Sequence, residues 1–263
     1  MVEKNSDITI RTYQKILVFV LTAIMTVFAI VDFHLFENAK DATIVTNFMM
    51  RFLGGIVLFI ILSGFGHSSL FKFKKIGKSL LIIIPALLIS INNFPIIAFF
   101  DGRATLTEPV YRVYLFLIEC ISIGFFEEII FRGIILMFLL KKMEHAKNGV
   151  LISIVLSSAI FGFIHIFNLL SGASFSDTAL QIGYSFLVGM LWAVMFLRTG
   201  NLWITMLLHA TFNFFGQVMF YLGVVNGRYD IYTIVITIAS AVIVALYSIR
   251  LYKQLEEKLI MNL

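Results

Sequence analysis

Two carboxylates stand side by side at Glu127 and Glu128, in a run FFEEIIFR that ends at Arg132. Apolar stretches flank them, from Tyr114 to Gly124 and from Gly133 to Leu140. Charge is expensive in such a setting. Insertion scales put an ionised side chain at a bilayer centre at about 2.5–3.5 kcal/mol, so these groups are rare and usually functional. Glu128 and Arg132 lie four apart with Glu first, the favourable order for a helical ion pair. A structural salt bridge would account for those two. It leaves Glu127 unexplained, because one arginine does not compensate two buried carboxylates.

Two further patterns sit deep in apolar runs. FGFIH places Phe161 and His165 four apart, and HATFN places His209 and Asn213 four apart, each pair on one helical face. A single intramembrane histidine often only bonds helices together. Polar groups in lipid must point inward or into a wet cavity, so Glu127, Glu128, Arg132, His165, His209 and Asn213 are expected to converge. A desolvated carboxylate suits a general base that takes a proton from water. Attack of that water on a peptide carbonyl builds an oxyanion, which imidazole N–H and the Asn amide can stabilise. Alternatively Glu127, His165 and His209 could hold a divalent metal such as zinc, which would activate the water instead. Both routes hydrolyse a peptide bond, and the sequence does not separate them. The chain has no H-E-x-x-H motif. Ser171 and Ser174 lack a nucleophile elbow, and the only aspartate inside an apolar run is Asp32, near its end.

The elements that position these residues are transmembrane helices. Of 263 residues, 60% are hydrophobic and 13% charged, with mean hydropathy +0.99, against about 25% charged in a soluble domain. The expected fold is all-α and polytopic, with about eight transmembrane helices around an intramembrane polar cavity. The spans read as Lys15–Phe36, Phe48–Gly66, Ser79–Phe100, Val113–Leu140, Gly149–Leu170, Thr178–Leu197, Leu202–Leu222 and Ile231–Leu251, each near the ~20 residues that cross a ~30 Å core. The chain reads as one transmembrane domain over 1–263, with a catalytic core over 111–217. The first span is too long for a signal-peptide core and is expected to remain as an anchor.

With the N-terminus inside, 14 Lys and Arg residues fall on the cytoplasmic side and 5, including Arg51 and Arg112, on the outer side; Arg132 completes the 20. That bias predicts cytoplasmic termini. The basic loops read as topology signals, so nucleic acid is not an expected partner. Pro85, Asn92, Asn93 and Pro95 in the third span read as a kink with amides that satisfy freed backbone groups. His34, His67 and His145 read as interfacial, and Trp192 and Trp203 as part of an aromatic belt. Glu119 is expected to reach the outer interface or pair with Arg112. Asn168 and Gln217 are expected to support the site from one step behind. Cys120 is the single cysteine and forms no intrachain disulfide.

The ordered trio E-E-x-x-x-R (Glu127, Glu128, Arg132), F-x-x-x-H (Phe161, His165) and H-x-x-x-N (His209, Asn213) resembles the CAAX protease and bacteriocin-processing family of intramembrane endopeptidases, which includes the Ras-converting prenyl-protein proteases. The resemblance spans roughly Tyr111 to Gln217. It implies an eight-helix fold and cleavage of membrane-associated peptides or proteins. It assigns Glu127 as the base, Glu128 and Arg132 to shaping and charge balance, His165 to orienting or activating the water, and His209 with Asn213 to the oxyanion. The family has been described as both metal-dependent and glutamate-type. Composition rich in Lys, Asn, Ile and Phe suggests a bacterial plasma membrane. The expected substrates are then a leader peptide, a pheromone precursor or a bacteriocin, besides a CAAX-type tail. Some relatives act instead as scaffolds for sensor kinases or as immunity proteins, which is the alternative reading.

Overall fold

The computed structural model describes residues 12–30, 36–72, 76–227 and 230–255. His34, Asp32 and the charges Lys4, Arg11, Lys74, Lys75, Arg228 and Lys258 lie outside the described residues. Among the described residues the chain is all-α apart from one short antiparallel strand pair. Its helices are α1 (Thr12–Ile30), α2 (Ala39–Gly64), α3 (Ile76–Ile91), α4 (Ile96–Phe100), α5 (Val110–Glu128), α6 (Met137–Lys142), α7 (Gly149–Phe163), α8 (Phe175–Thr199), α9 (Leu202–Tyr221) and α10 (Ile231–Lys253). A π-helical turn, Ile129–Leu136, joins α5 to α6, and a 3-10 segment, Ile164–Ser171, continues α7. Strand β1 (Ala104–Leu106) pairs antiparallel with β2 (Gly223–Val225), Ala104 opposite Val225. This strand pair closes the end of the bundle where α2 and α5 begin and α9 ends.

Four described helical segments are long and apolar enough to cross a membrane: Ala39–Gly64, Gly149–Ser171, Phe175–Thr199 and Ile231–Lys253. Their outer faces carry large apolar side chains to the exterior, among them Leu170, Phe175, Ile238 and Leu246. The chain is an integral membrane protein. Helix starts follow the chain chemistry. Asn38, Ser174, Asn201 and Asp230 each accept a backbone N–H of the first turn through the side chain, the preferred N-cap arrangement.

Three expected spans are not single α-helices. The fourth, Val113–Leu140, passes through the π-turn at Ile129–Leu136. The third breaks at Asn92–Pro95 into α3 and α4, because Pro95 has no N–H to continue the ladder and Asn93 is drawn sideways. The two amides stitch the break to its neighbours: Asn92 donates to Ser240 Oγ (2.8 Å) and Asn93 to the Phe212 carbonyl (3.0 Å). Both are structural, and neither lines the site. The fifth changes to 3-10 geometry at Ile164, one residue before His165.

Helix α5 is packed between α2 and α9, and α7 against α8. Gly124 sets the α5–α9 approach: a Cβ there would lie 2.6 Å from the Met206 carbonyl oxygen. The main core gathers Trp192, Phe196, Leu197, Ile129 and Leu136, and a smaller one under the strand pair holds Phe116, Cys120, Val218 and Leu222.

Candidate active site

Glu127 and Glu128 end α5 and point to different surroundings. The Glu128 side chain is fully buried, and its Oε1 accepts from Arg132 Nη1 (2.9 Å) and meets His209 Nδ1 (2.9 Å). Arg132 donates its other terminal nitrogen to the Gly189 carbonyl (3.0 Å). Its guanidinium lies over the Phe161 ring at 4.7 Å and the Trp192 ring at 5.6 Å, a cation–π setting for a desolvated charge. Gly189 is needed for this approach, since a Cβ there would stand 3.0 Å from Phe161 and 3.4 Å from Arg132 Nη2. The π-turn that carries Arg132 disturbs the backbone ladder, and Ser157 Oγ donates to the Phe131 carbonyl at 3.0 Å. Such turns recur at functional sites.

The Glu127 side chain keeps 24% exposure, and its Oε2 lies 3.7 Å from His209 Nε2. It lines a cavity of about 280 Å³ together with His165, His209, Asn213, Phe161 and Trp192. Glu128 and Arg132 are behind this wall. The six polar residues picked out from the sequence therefore divide into four on the cavity and two beneath it. Phe161 meets both histidine rings edge-on, His165 at 5.7 Å and His209 at 5.6 Å, so the F-x-x-x-H pair shares a face despite the 3-10 turn.

Ring geometry fixes what His209 can do. A carboxylate paired with arginine is an acceptor, so Nδ1–H donates to Glu128 and Nε2 is left towards Glu127 and the cavity. Trp192 stacks on the same imidazole at 4.5 Å and 21°. Trp192 is thus a buried site residue and not part of an interfacial belt. Trp203, in contrast, is partly exposed and donates its indole N–H to the Phe71 carbonyl (2.9 Å).

Among the described residues, no three His, Cys, Asp or Glu side chains converge closely enough to hold one metal ion. Glu127, His165 and His209 do not fit a metal in this arrangement.

The expectation for Glu119 is corrected. It pairs with Arg51 of α2 at 3.1 Å, and both line the cavity with Asn47 and Tyr221. Arg112 instead binds Asp41 (2.6 Å) and Glu108 at the strand-pair end. Arg51 had read as an outer-side topology charge; its place after FMM and before FLGG, within an apolar run, was the available signal. Asn168 bonds to Gln181 at 2.8 Å, and Gln217 is exposed on α9; all three line the cavity.

Residues 109–215 match the family model described as type II CAAX prenyl endopeptidase, Rce1-like. No curated protein and no solved structure matches the chain. The matched stretch contains Glu127, Glu128, Arg132, Phe161, His165, His209 and Asn213. Over its central helices the chain is similar to the Rce1-like CAAX prenyl endopeptidases.

Proposed function

We propose that this protein is an intramembrane endopeptidase that hydrolyses a peptide bond of a membrane-associated peptide or protein with water activated by Glu127. The supporting observation is the 3.7 Å approach of Glu127 Oε2 to His209 Nε2 on the wall of one cavity, with Glu128 held out of reach by Arg132. Arg132 neutralises Glu128, so Glu127 is the carboxylate left to take a proton. It removes one from a cavity water, and the hydroxide oxygen attacks the carbonyl carbon. His165 orients that water. The oxyanion receives hydrogen bonds from Asn213 and, once Glu127 has passed its proton to Nε2, from His209. The same proton then reaches the leaving amine. Phe161 and Trp192 hold both rings and keep the wall apolar.

In this reading α1, α3–α4, α5–α6 and α9 are embedded in the membrane beside the four longest apolar helices. The residues around the three motifs, 111–217, are the catalytic core. The protein sits in a bacterial plasma membrane, and its substrate is a leader peptide, pheromone precursor, bacteriocin or CAAX-type tail.

The test is cleavage of an internally quenched peptide bearing a farnesylated cysteine, and of the same peptide without the lipid, by purified protein in liposomes. Mass spectrometry in ¹⁸O-water should show one labelled oxygen in the new carboxylate. Intact peptides from both incubations would reject the hydrolase reading.

A further inference from the structure

The cavity continues beyond the groups that the hydrolase needs. Along α5 it runs from Glu127 to Glu119, two turns closer to the strand-pair end. There Arg51 Nη1 donates to Glu119 Oε1 at 3.1 Å. The Asn47 side chain, on the same wall, also bonds to the Glu119 carboxylate. Each partner has capacity left over. Glu119 is 5% exposed, and its Oε2 makes no hydrogen bond. Arg51 has five N–H donors; its side chain is a third exposed, and Nη1 is the donor whose partner is Glu119.

A buried, unmet carboxylate oxygen is costly, and in this position a ligand from the cavity can meet it. The charge balance selects that ligand. Arg51 and Glu119 cancel, so a further full charge would arrive without a counterion in a low-dielectric site. A neutral dipole with one donor and one acceptor matches both free ends. The repeating unit of a peptide chain is such a dipole.

We infer that the Arg51–Glu119 pair is a backbone-docking subsite: Glu119 Oε2 accepts a substrate N–H while Arg51 donates to a substrate carbonyl. This rests on the hydrolase reading and extends it. Eight residues of α-helix separate Glu119 from Glu127, about 12 Å along the axis. An extended peptide covers that in roughly three to four residues. The enzyme therefore grips the substrate main chain three to four residues from the bond it cuts. Because it reads backbone, the subsite tolerates many side chains at that place.

The experiment is an amide-to-ester scan of a fluorescent farnesylated peptide, one backbone N–H replaced at a time. Binding is measured to Glu127→Gln protein in detergent, which holds the peptide without cutting it. Cleavage of the all-amide peptide by the wild type is measured in parallel and locates the scissile bond. One or two positions, three to four residues from that bond, should bind about tenfold more weakly as esters, the scale of one charge-assisted hydrogen bond. In Arg51→Met/Glu119→Leu protein, which removes both charges together, that sensitivity should vanish while other positions keep theirs. Refolding failure of the double variant is controlled by Glu119→Gln, whose amide still accepts and should keep part of the effect. A flat scan, or a sensitive position that persists in the double variant, overturns the subsite; cleavage by the wild type then leaves the hydrolase standing. Absence of both binding and cleavage overturns the two together.

Discussion

Glu127 and Glu128 are neighbours in sequence with opposite surroundings, and their variants should separate accordingly. Glu128→Gln leaves the Arg132 charge uncompensated in a fully buried site, a loss of roughly 3–5 kcal/mol. We expect a large fall in thermal midpoint and little folded protein. Glu127→Gln touches a partly exposed group whose imidazole neighbour is 3.7 Å away, so the midpoint should stay within a few degrees. His209→Ala removes both the partner of Glu128 and the stacking surface of Trp192, and should lower midpoint and activity together. Since Glu127, His165 and His209 do not gather around one point, cleavage should survive chelation; activity that disappears with EDTA and returns with a stoichiometric metal would contradict this. At this scale much was legible. The fourfold spacing of Phe161 with His165, and of His209 with Asn213, follows from helical periodicity alone. Trp192 was not legible, because nothing in its own run says that a facing helix brings a cavity to it. Arg51 was legible only from its place inside an apolar run, and otherwise reads with the loop charges.

At the scale of elements, close packing of α5 on α9 brings the carboxylates to His209. Gly124→Val would press a side chain into the Met206 carbonyl, and overpacking of this kind costs typically ~1–3 kcal/mol. Because the displacement acts on the Glu127–His209 approach, cleavage should fall further than stability; kcat and thermal midpoint of the purified variant check this. The strand-pair end gives a pH-dependent prediction. Arg103 binds Asp101 and Asp230. The guanidinium holds Asp101 below the usual aspartate range, and the Thr233 backbone N–H, with Arg103, does the same for Asp230. Ions favoured in this way stabilise the folded chain above the unfolded aspartate value of about 3.9, and the contribution is lost as pH falls through the lower folded value. The midpoint gap between wild type and Arg103→Gln should hold steady from about pH 7 to 5 and close below about pH 4. Element boundaries were the less legible part. Pro95 and the two asparagines announced the break between α3 and α4. The π-turn did not show, because Glu128 and Arg132 at a spacing of four read equally well as α-helix.

Over the whole molecule, apolar faces outside and a charged interior define the architecture. Residues 109–215 hold the matched family stretch, while α1 to α4 and α10 frame it. At the strand-pair end Lys40, Arg103 and Arg112 are all tied into ion pairs. The opposite end carries the exposed Lys141, Lys142 and Lys147. The positive-inside rule then predicts that the lysine-rich end faces the cytoplasm. In a Cys120→Ala background, Thr107→Cys should react with a membrane-impermeant maleimide on intact cells, and Lys147→Cys only after permeabilisation. The reverse pattern would turn the molecule over. The all-α class and the membrane setting were plain from composition. Of the eight spans read from the sequence, four correspond to described segments long and apolar enough to cross a membrane, and one of these, Gly149–Ser171, carries His165.

The central claim is that Glu127 is the base that activates water in the cavity. Its most direct test is the cleavage rate of Glu127→Gln protein in liposomes, beside the wild type and with thermal midpoints measured on the same samples. The rate should fall at least about 100-fold with the midpoint within a few degrees of wild type. A correctly folded Glu127→Gln protein that cleaves at the wild-type rate would contradict it.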